Sequence, residues 1–426
     1  MKREVITFGC RLNAYESEVI KKGLEESNLE DVAVFNTCTV TKEAERQAKQ
    51  AIRKYKRENP ESKIIVTGCG AQVDPKSYAE IDGVDMVIGN SEKLELSTYS
   101  KLNFETEKVL VNDIMSVKET ASHLVPAFEG KSRAFIQVQN GCNHRCTFCI
   151  IPYGRGNSRS IPVGEIVEHT KLLVEKGYKE IVLTGVDITD YGSNLPGKPK
   201  LGQMIKRVLN LVPDLPRIRL SSIDVAEIDE DLLDLIANEK RFMPHLHLSL
   251  QAGDDMILKR MKRRHTRKQI VDFCNKVRKM RPDAVFGADI IAGFPTETEE
   301  MFQNTADIVD EAGLSYLHVF PYSKREGTPA ANIPEDRQVP KNLRKERAAI
   351  LREKGNNQLI KLLDSLVGKT QKVIVEKNSI GRTEQFAQVK LSGSYKEGDL
   401  VEVKISSRSD DLLIEDLKVE DPRIVA

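Results

Sequence analysis

The chain lacks several things, and most of the absences exclude something. Its 426 residues contain no tryptophan, from which nothing follows. No run of 18 or more apolar residues occurs, so no transmembrane helix and no membrane partner is expected. The opening MKREVITFGC passes directly into a strand-like run, and no signal peptide is apparent. Cysteines are few, seven in all, and without a secretory signal they point to a reducing, cytoplasmic setting and to metal rather than disulfides. Net charge is nearly absent at +1, which taken alone argues against nucleic acid. What remains is ordinary globular composition, 40% hydrophobic and 30% charged, in a chain long enough for two or three domains with full cores.

The stretch Gly141–Cys149, GCNHRCTFC, sets Cys142, Cys146 and Cys149 in a C-x3-C-x2-C spacing. Three is odd, and eight residues cannot cross-link themselves, so this is no disulfide framework. Three thiolates can hold one face of an iron–sulfur cluster and leave one iron open. Zinc competes, but a structural zinc site wants four closed ligands, and no fourth is evident although His144 sits inside the loop. Buried thiols are the plainer alternative. With Phe148 before the last cysteine, the pattern resembles the signature of the radical S-adenosylmethionine (SAM) superfamily. That resemblance implies a 4Fe–4S cluster whose open iron chelates SAM and cleaves it reductively to a 5′-deoxyadenosyl radical.

Charge is unevenly spread. From Lys240 to Arg281 there are 13 Lys/Arg against Asp254, Asp255 and Asp272, and from Lys131 to Ser160 there are five Lys/Arg and no acid. A basic surface beside a redox centre suits a polyanionic substrate, while a merely solvated basic face is as good a reading of the 240–281 run.

Residues 1–124 alternate short apolar runs (VITFG, DVAVFNTC, KIIVTGC, DMVIGN) with helical patterns. These are NAYESEVIKKGLEES, with an Asn-led start, and the stretch from Thr41 to Arg57. The alternation predicts an α/β fold with a doubly wound parallel sheet. Cys10, Cys38 and Cys69 each fall just past the C-terminal end of a predicted strand, the edge where such sheets bind ligands. Single cysteines are more often inert and buried. Their shared placement points to three ligands of a second cluster. Residues 103–131 lack clear periodicity and suit a linker with one strand near Lys108 to Val111.

Residues 132–357 repeat a strand–helix unit. AFIQVQ leads into the cysteine loop, and EIVLTGVD, RIRLSSI, HLHLSLQ, AVFGADIIAGF and LHVFPYS follow, separated by helical sequence. Six strands at about 35 residues per unit predict a partial (β/α)6 barrel, with its chemistry at the strand C-termini. Gly185, Asp187, Ser222, Gln251 and Gly293 stand at those ends as candidates for SAM contacts, although each taken singly is equally a turn residue or cap. His245 and His247 count as ordinary strand residues, and Cys274, within QIVDFCNKVRKM, as core. After a helix ending near Leu366, KVIVEK, QFAQVKL and LVEVKIS predict a small β-barrel over 366–426.

The motifs TFGCRLNAYESE, NTCTVT, VTGCGAQ, VIGN, GCNHRCTFCIIPYGRGNSRS, LTGVDI, SLQAGDD, IIAGFPTET and FPYSKREGTPA span most of the chain. Together they resemble the radical-SAM methylthiotransferase family. The resemblance implies an N-terminal domain with a second 4Fe–4S cluster on Cys10, Cys38 and Cys69. It further implies a radical-SAM barrel whose cluster sits on Cys142, Cys146 and Cys149, and a tRNA-binding TRAM barrel. Phe148 is expected to pack near the adenine of SAM. External electron and sulfur donors are implied partners. The branch acting on N6-isopentenyladenosine typically has Gln-Met-Asn after the first cysteine, and the branch acting on a ribosomal protein Pro-Lys-Asn. Here Arg11-Leu12-Asn13, Asn36–Thr41 and Arg155–Ser160 resemble the branch that methylthiolates N6-threonylcarbamoyladenosine beside the tRNA anticodon. The isopentenyl branch, a plain radical-SAM methylase and a non-catalytic iron–sulfur RNA-binding protein remain the alternatives. The expected TRAM segment is an awkward fit, with ten basic and eleven acidic residues from Leu366 to Ala426.

Overall fold

The computed structural model describes residues 2–105, 107–119, 125 and 132–416. Parts of the expected linker, residues 106, 120–124 and 126–131, and of the C-terminal segment, residues 417–426, lie outside the described residues.

The N-terminal sheet has five parallel strands: β1 (Arg3–Thr7), β2 (Val32–Thr37), β3 (Lys63–Gly68), β4 (Met86–Ile88) and β5 (Val109–Leu110). They lie in chain order, each paired with the next, and the order does not reverse at the centre. β2 is buried on both faces, as a parallel strand covered by helices must be. Alternate residues separate the two layers. Val32 and Val34 pack towards helix α1 (Arg11–Glu25), whereas Ala33 and Phe35 pack towards α2 (Lys42–Glu58). Thr41 caps α2 by accepting from the Ala44 amide. Helix α1 begins two residues earlier than its pattern suggests, with Cys10 at its N-cap. Asn13 is therefore no cap. Its side-chain amide donates to the carbonyls of Phe8 (2.7 Å) and Thr37 (3.0 Å), tying the ends of β1 and β2 together.

Six parallel strands form the central unit: β6 (Ala134–Gln137), then β9 (Glu180–Thr184), β10 (Arg217–Leu220), β11 (His245–Gln251), β12 (Val285–Ala292) and β13 (Leu314–Pro321). The intervening β7 (Gln139–Asn140) and β8 (Arg159–Ser160) are a two-residue antiparallel ribbon that closes the cysteine loop. The strands pair as β6–β9–β10 and β11–β12–β13, and Ile223 bridges to Leu248 between the two groups. This is the expected partial barrel, open between β6 and β13. The N-terminal domain spans that opening. Tyr15 and Val19 of α1 join the barrel core on one side. On the other, Arg325 beyond β13 donates to Thr39 Oγ1 (2.7 Å) and pairs with Glu45.

One helix, Lys341–Leu366, leads out of the barrel. Its Ala348 and Leu351 belong to the central core, and Leu363 and Leu366 to the C-terminal core. The C-terminal strands β14 (Thr370–Val375), β15 (Ile380–Thr383), β16 (Gln388–Lys390), β17 (Leu400–Ser409) and β18 (Leu412–Glu415) close into a barrel. That barrel docks on the N-terminal ends of the central strands. Arg217 and Arg219 donate to the carbonyls of Lys372 (2.9 Å) and Glu384 (3.2 Å), and Arg133 pairs with Glu376 (2.7 Å). Among the described residues, no helix is long and apolar enough to cross a membrane.

Candidate cluster-binding site

Cys10, Cys38 and Cys69 follow β1, β2 and β3 directly, so parallel pairing delivers all three to one sheet edge. Gly9 permits the closest approach. With φ +95°, a Cβ there would lie 2.7 Å from the Cys38 Cβ and 2.9 Å from its sulfur. Cys10 is exposed, whereas Cys38 and Cys69 are buried. Burial, reinforced by Cys69 and Cys10 nearby, pushes the Cys38 thiol up to about 12.

The second set is held by the ribbon. The Cys142 amide donates to Gly156 O (3.1 Å) and the Cys149 amide to Cys146 O (3.0 Å), folding the loop back on itself. Thr147 anchors it to the next wall, donating through its amide to Met261 O (3.1 Å) and through its hydroxyl to Arg260 O (2.8 Å). Burial pushes Cys149 up to about 12, and burial together with Asp187 raises Cys142. All seven cysteines are unpaired by disulfides.

Both sets suit a cationic inorganic cluster. A lone thiolate at the depth of Cys38, Cys142 or Cys149 would be desolvated, and coordination to iron is the chemistry that offsets this. Neither trio brings three sulfurs within 4.8 Å of one another, whereas one tetrahedral zinc would hold thiolates about 3.8 Å apart. A polynuclear cluster suits the wider spacing. His144 is not a fourth ligand here. Its Nε2 bonds Asp187 (2.9 Å) with Glu227 beyond (3.5 Å), and these two carboxylates raise it to about 10.

Of the rim candidates, Asp187 reaches the cysteine loop itself, accepting from Cys142 Sγ at 3.5 Å while its amide donates to Gln139 Oε1 (2.9 Å). Gly185 packs on Gln139. Ser222 follows β10, and Gln251 ends β11 at a bulge with φ 71°. Gly293 has φ +74°, and a side chain there would strike Arg344 at 2.5 Å. Phe148 is partly buried against the apolar cluster that contains Met261, Phe294 and Tyr322. Cys274 is buried in helix Arg267–Met280, as expected.

Glu16 and Arg155 fall inside quoted motifs, but no sequence pattern displays how the residues between the two cysteine sets pair. Arg155, six positions beyond Cys149, donates to Glu16 Oε1 (2.7 Å) and Oε2 (3.1 Å) and to Asn13 Oδ1 (2.6 Å). Lys93 donates to the same carboxylate at 2.7 Å and to Asn36 Oδ1 at 3.2 Å. Asn90 donates to Gly154 O (2.5 Å) and to Cys69 Sγ (3.7 Å). A buried Lys–Glu–Arg group thus fastens the segment after Cys149 to the helix after Cys10. The one available hint was Glu16, a charge inside the apolar stripe of α1. Arg263 was also missed. It donates to Cys146 Sγ (3.7 Å), Asp224 Oδ2 (2.9 Å) and Ser249 O (2.7 Å).

The basic run 240–281 needs correction as a uniform cationic face. All seven of its arginines have internal partners, such as Arg267 on Gly253 O and Arg278 on Ala312 O. The run still presents charge to solvent, through lysines such as Lys259 and Lys262 and through the exposed Arg260 and Arg264.

The radical SAM superfamily model matches residues 136–309, and the model described as uncharacterized protein family UPF0004 matches residues 2–89. A threonylcarbamoyladenosine tRNA methylthiotransferase MtaB from Rickettsia prowazekii is 61% identical over 405 residues, 95% of each chain. The chain belongs to the tRNA methylthiotransferase family. The MtaB enzyme of Aquifex aeolicus is 39% identical, with 95% of this chain and 100% of that one covered. In fold, the chain is similar to the radical S-adenosylmethionine methyltransferase TsrM from Kitasatospora setae, with TM-score 0.58, 15% identity, and 77% and 76% of the chains covered.

Proposed function

We propose that this chain is an enzyme that installs a methylthio group at C2 of N6-threonylcarbamoyladenosine-37 in tRNA, next to the anticodon. The observation that supports this is the buried Arg155–Glu16 pair, which ties the segment after Cys149 to the helix after Cys10 and so links the two three-cysteine groups. Cys142, Cys146 and Cys149 would hold the cluster to which SAM binds, and Cys10, Cys38 and Cys69 would hold the second. Two 4Fe–4S clusters and SAM, when bound, supply one-electron chemistry, sulfur and the methyl group. The chain's residues do the positioning. Asp187 and Arg263 orient the Cys142 and Cys146 ends of the loop, Asn90 steadies Cys69, and Arg155 fixes the separation of the two sets. Phe148, Gly185, Asp187, Ser222, Gln251 and Gly293 form the rim assigned to SAM.

The division of labour is three-part: 1–124 for the second cluster, 132–357 for the radical barrel and 366–426 for orienting tRNA. External electron and sulfur donors complete the reaction, and the cytoplasm, where tRNA is modified, is its setting. Mass spectrometry of tRNA nucleosides from a strain lacking the gene is the test. Loss of the methylthio form alone, with unthiolated threonylcarbamoyladenosine accumulating, supports this reading. Loss of the methylthio-isopentenyl nucleoside would move the protein to the neighbouring branch, and no change in either would refute a tRNA substrate.

A further inference from the structure

The barrel interior is polar where such interiors are usually filled by branched aliphatics. Gln137, Ser221, His245 and Tyr316 each have side-chain polar atoms that are buried and lack a partner among the described residues. His245 and His247, which the alternating HLHLSLQ pattern marks only as strand residues, lie among them. His247 Nε2 bonds Asp289 (3.1 Å), which His318 also contacts (3.2 Å). Buried groups of this kind are normally satisfied, so a lumen with several unsatisfied ones is built for a polar guest.

The charge of that guest follows from the arginines. Arg133, Arg217, Arg219 and Arg382 share Glu180 and Glu376 as ion-pair partners. Arg11 comes from the N-terminal domain, directly after Cys10. It lies within electrostatic reach of Arg133, Arg219, Arg382, Glu180 and His245, yet no ion pair or hydrogen bond holds its guanidinium among the described residues. Counting Glu384, five guanidiniums face three carboxylates, and the unpaired one is next to the second cysteine set. A half-buried arginine without a counter-ion is a receptor for an anion, and its planar fork suits a carboxylate.

Threonylcarbamoyladenosine carries one free carboxylate, on the arm at N6, and the isopentenyl nucleoside carries none. We infer that Arg11 receives the threonyl carboxylate of the substrate nucleoside and selects the threonylcarbamoyl base over uncharged N6-modified adenosines. This rests on the function proposed above.

The test uses holoenzyme, handled anaerobically, and two anticodon stem-loop RNAs. One bears threonylcarbamoyladenosine at position 37, the other the same base with its carboxylate converted to the carboxamide. Affinity and single-turnover methylthiolation are measured on both. Wild type should favour the acid by about ten- to a hundredfold, the range of one charge-assisted hydrogen bond. Arg11→Gln should bind acid and amide equally, with amide affinity and eight irons per chain retained. Arg11→Lys should recover part of the preference. Equal treatment of acid and amide by wild type overturns the inference without any variant. So does an Arg11→Gln enzyme that keeps the wild-type preference, or one that weakens acid, amide and unmodified loops alike, the mark of a phosphate contact. Failure of wild type to methylthiolate the acid RNA at all would instead refute the proposed function.

Discussion

The Lys93–Glu16–Arg155 group gives the sharpest quantitative prediction. Glu16 and Lys93 are 0% exposed and Arg155 is 2% exposed, so water cannot replace a lost partner. Burial alone would raise the Glu16 carboxyl, but Arg155 and then Lys93 more than reverse that and hold it below the ordinary range. Glu16→Gln keeps the shape and one acceptor oxygen and leaves two buried cations facing a neutral amide. Removing one partner of such a group is worth about 3–5 kcal/mol. With a urea slope of roughly 1–3 kcal/mol per molar for a domain-sized unit, the midpoint should fall by about 1 M or more. The assay is urea unfolding followed by far-UV circular dichroism, at neutral pH and in moderate salt. Adding Lys93→Met in the E16Q background should destabilise far less than Lys93→Met alone, because it removes a charge already without its carboxylate. A midpoint shift below about 0.3 M, or additive single and double changes, would mean that the group is hydrated and does not fasten the two domains.

Four further outcomes follow from the same geometry. Cys149→Ala should abolish SAM cleavage, whereas Cys10→Ala should spare cleavage and abolish methylthiolation; 5′-deoxyadenosine release and nucleoside mass spectrometry separate the two, and a Cys10→Ala enzyme that still thiolates would remove the second set from the reaction. Burial would raise Glu180, but Arg219, Arg133 and Arg217 hold it at about 2, so its contribution is complete above about 4.5 and is lost as pH falls towards 2; the acid arm of the urea-midpoint profile should be shallower in Glu180→Gln, and an unchanged arm would contradict the pairing. Phe386 stacks on His245 (centroids 5.0 Å) with Arg133, Arg219 and Arg382 around it, so Phe386→Ala should loosen the C-terminal barrel by about 2–4 kcal/mol and expose the helix Lys341–Leu366 to limited proteolysis, and equal protease resistance would deny the docking. Lys259→Glu with Lys262→Glu should weaken tRNA binding and flatten its salt dependence by about two charges, whereas Arg278→Ala should lower stability and leave that slope unchanged; binding isotherms across a salt series decide.

Sequence alone carried the fold far because its signals were local. Three apolar runs placed Cys10, Cys38 and Cys69 past strand ends, and parallel pairing then does the rest without further instruction. The stretch from Thr41 to Arg57 reads as a helix from its own residues, and the structure places Thr41 as its cap. The same locality misled at Asn13, which looks like a helix start but spends its amide on two loop carbonyls. Glu16, Lys93 and Arg155 were illegible because their partners are 77 and 139 residues away, and nothing in a short window distinguishes a buried ion pair from a solvated charge. The arginines of 240–281 are a related case, since many of their partners are carbonyl oxygens, which every residue has.

The case of His245 and His247 shows where physical reading of a strand must stop. Period-two alternation says which residues share a face, and HLHLSLQ puts His245 and His247 on one side of β11, ahead of the bulge between Leu248 and Gln251. In an ordinary barrel that side would be filled by aliphatics, so the polar run is itself the departure from the rule. The departure acquires meaning only with the closing domain in place. The N-terminal sheet spans the gap between β6 and β13, and the residue it adds to the polar interior is Arg11, adjacent to Cys10 in the chain. The candidate ligand Cys10 and the proposed specificity residue Arg11 are then consecutive at one helix start. A change in base selectivity at position 11 would act within one residue of Cys10, which explains why selectivity and iron content must be measured together in any Arg11 variant.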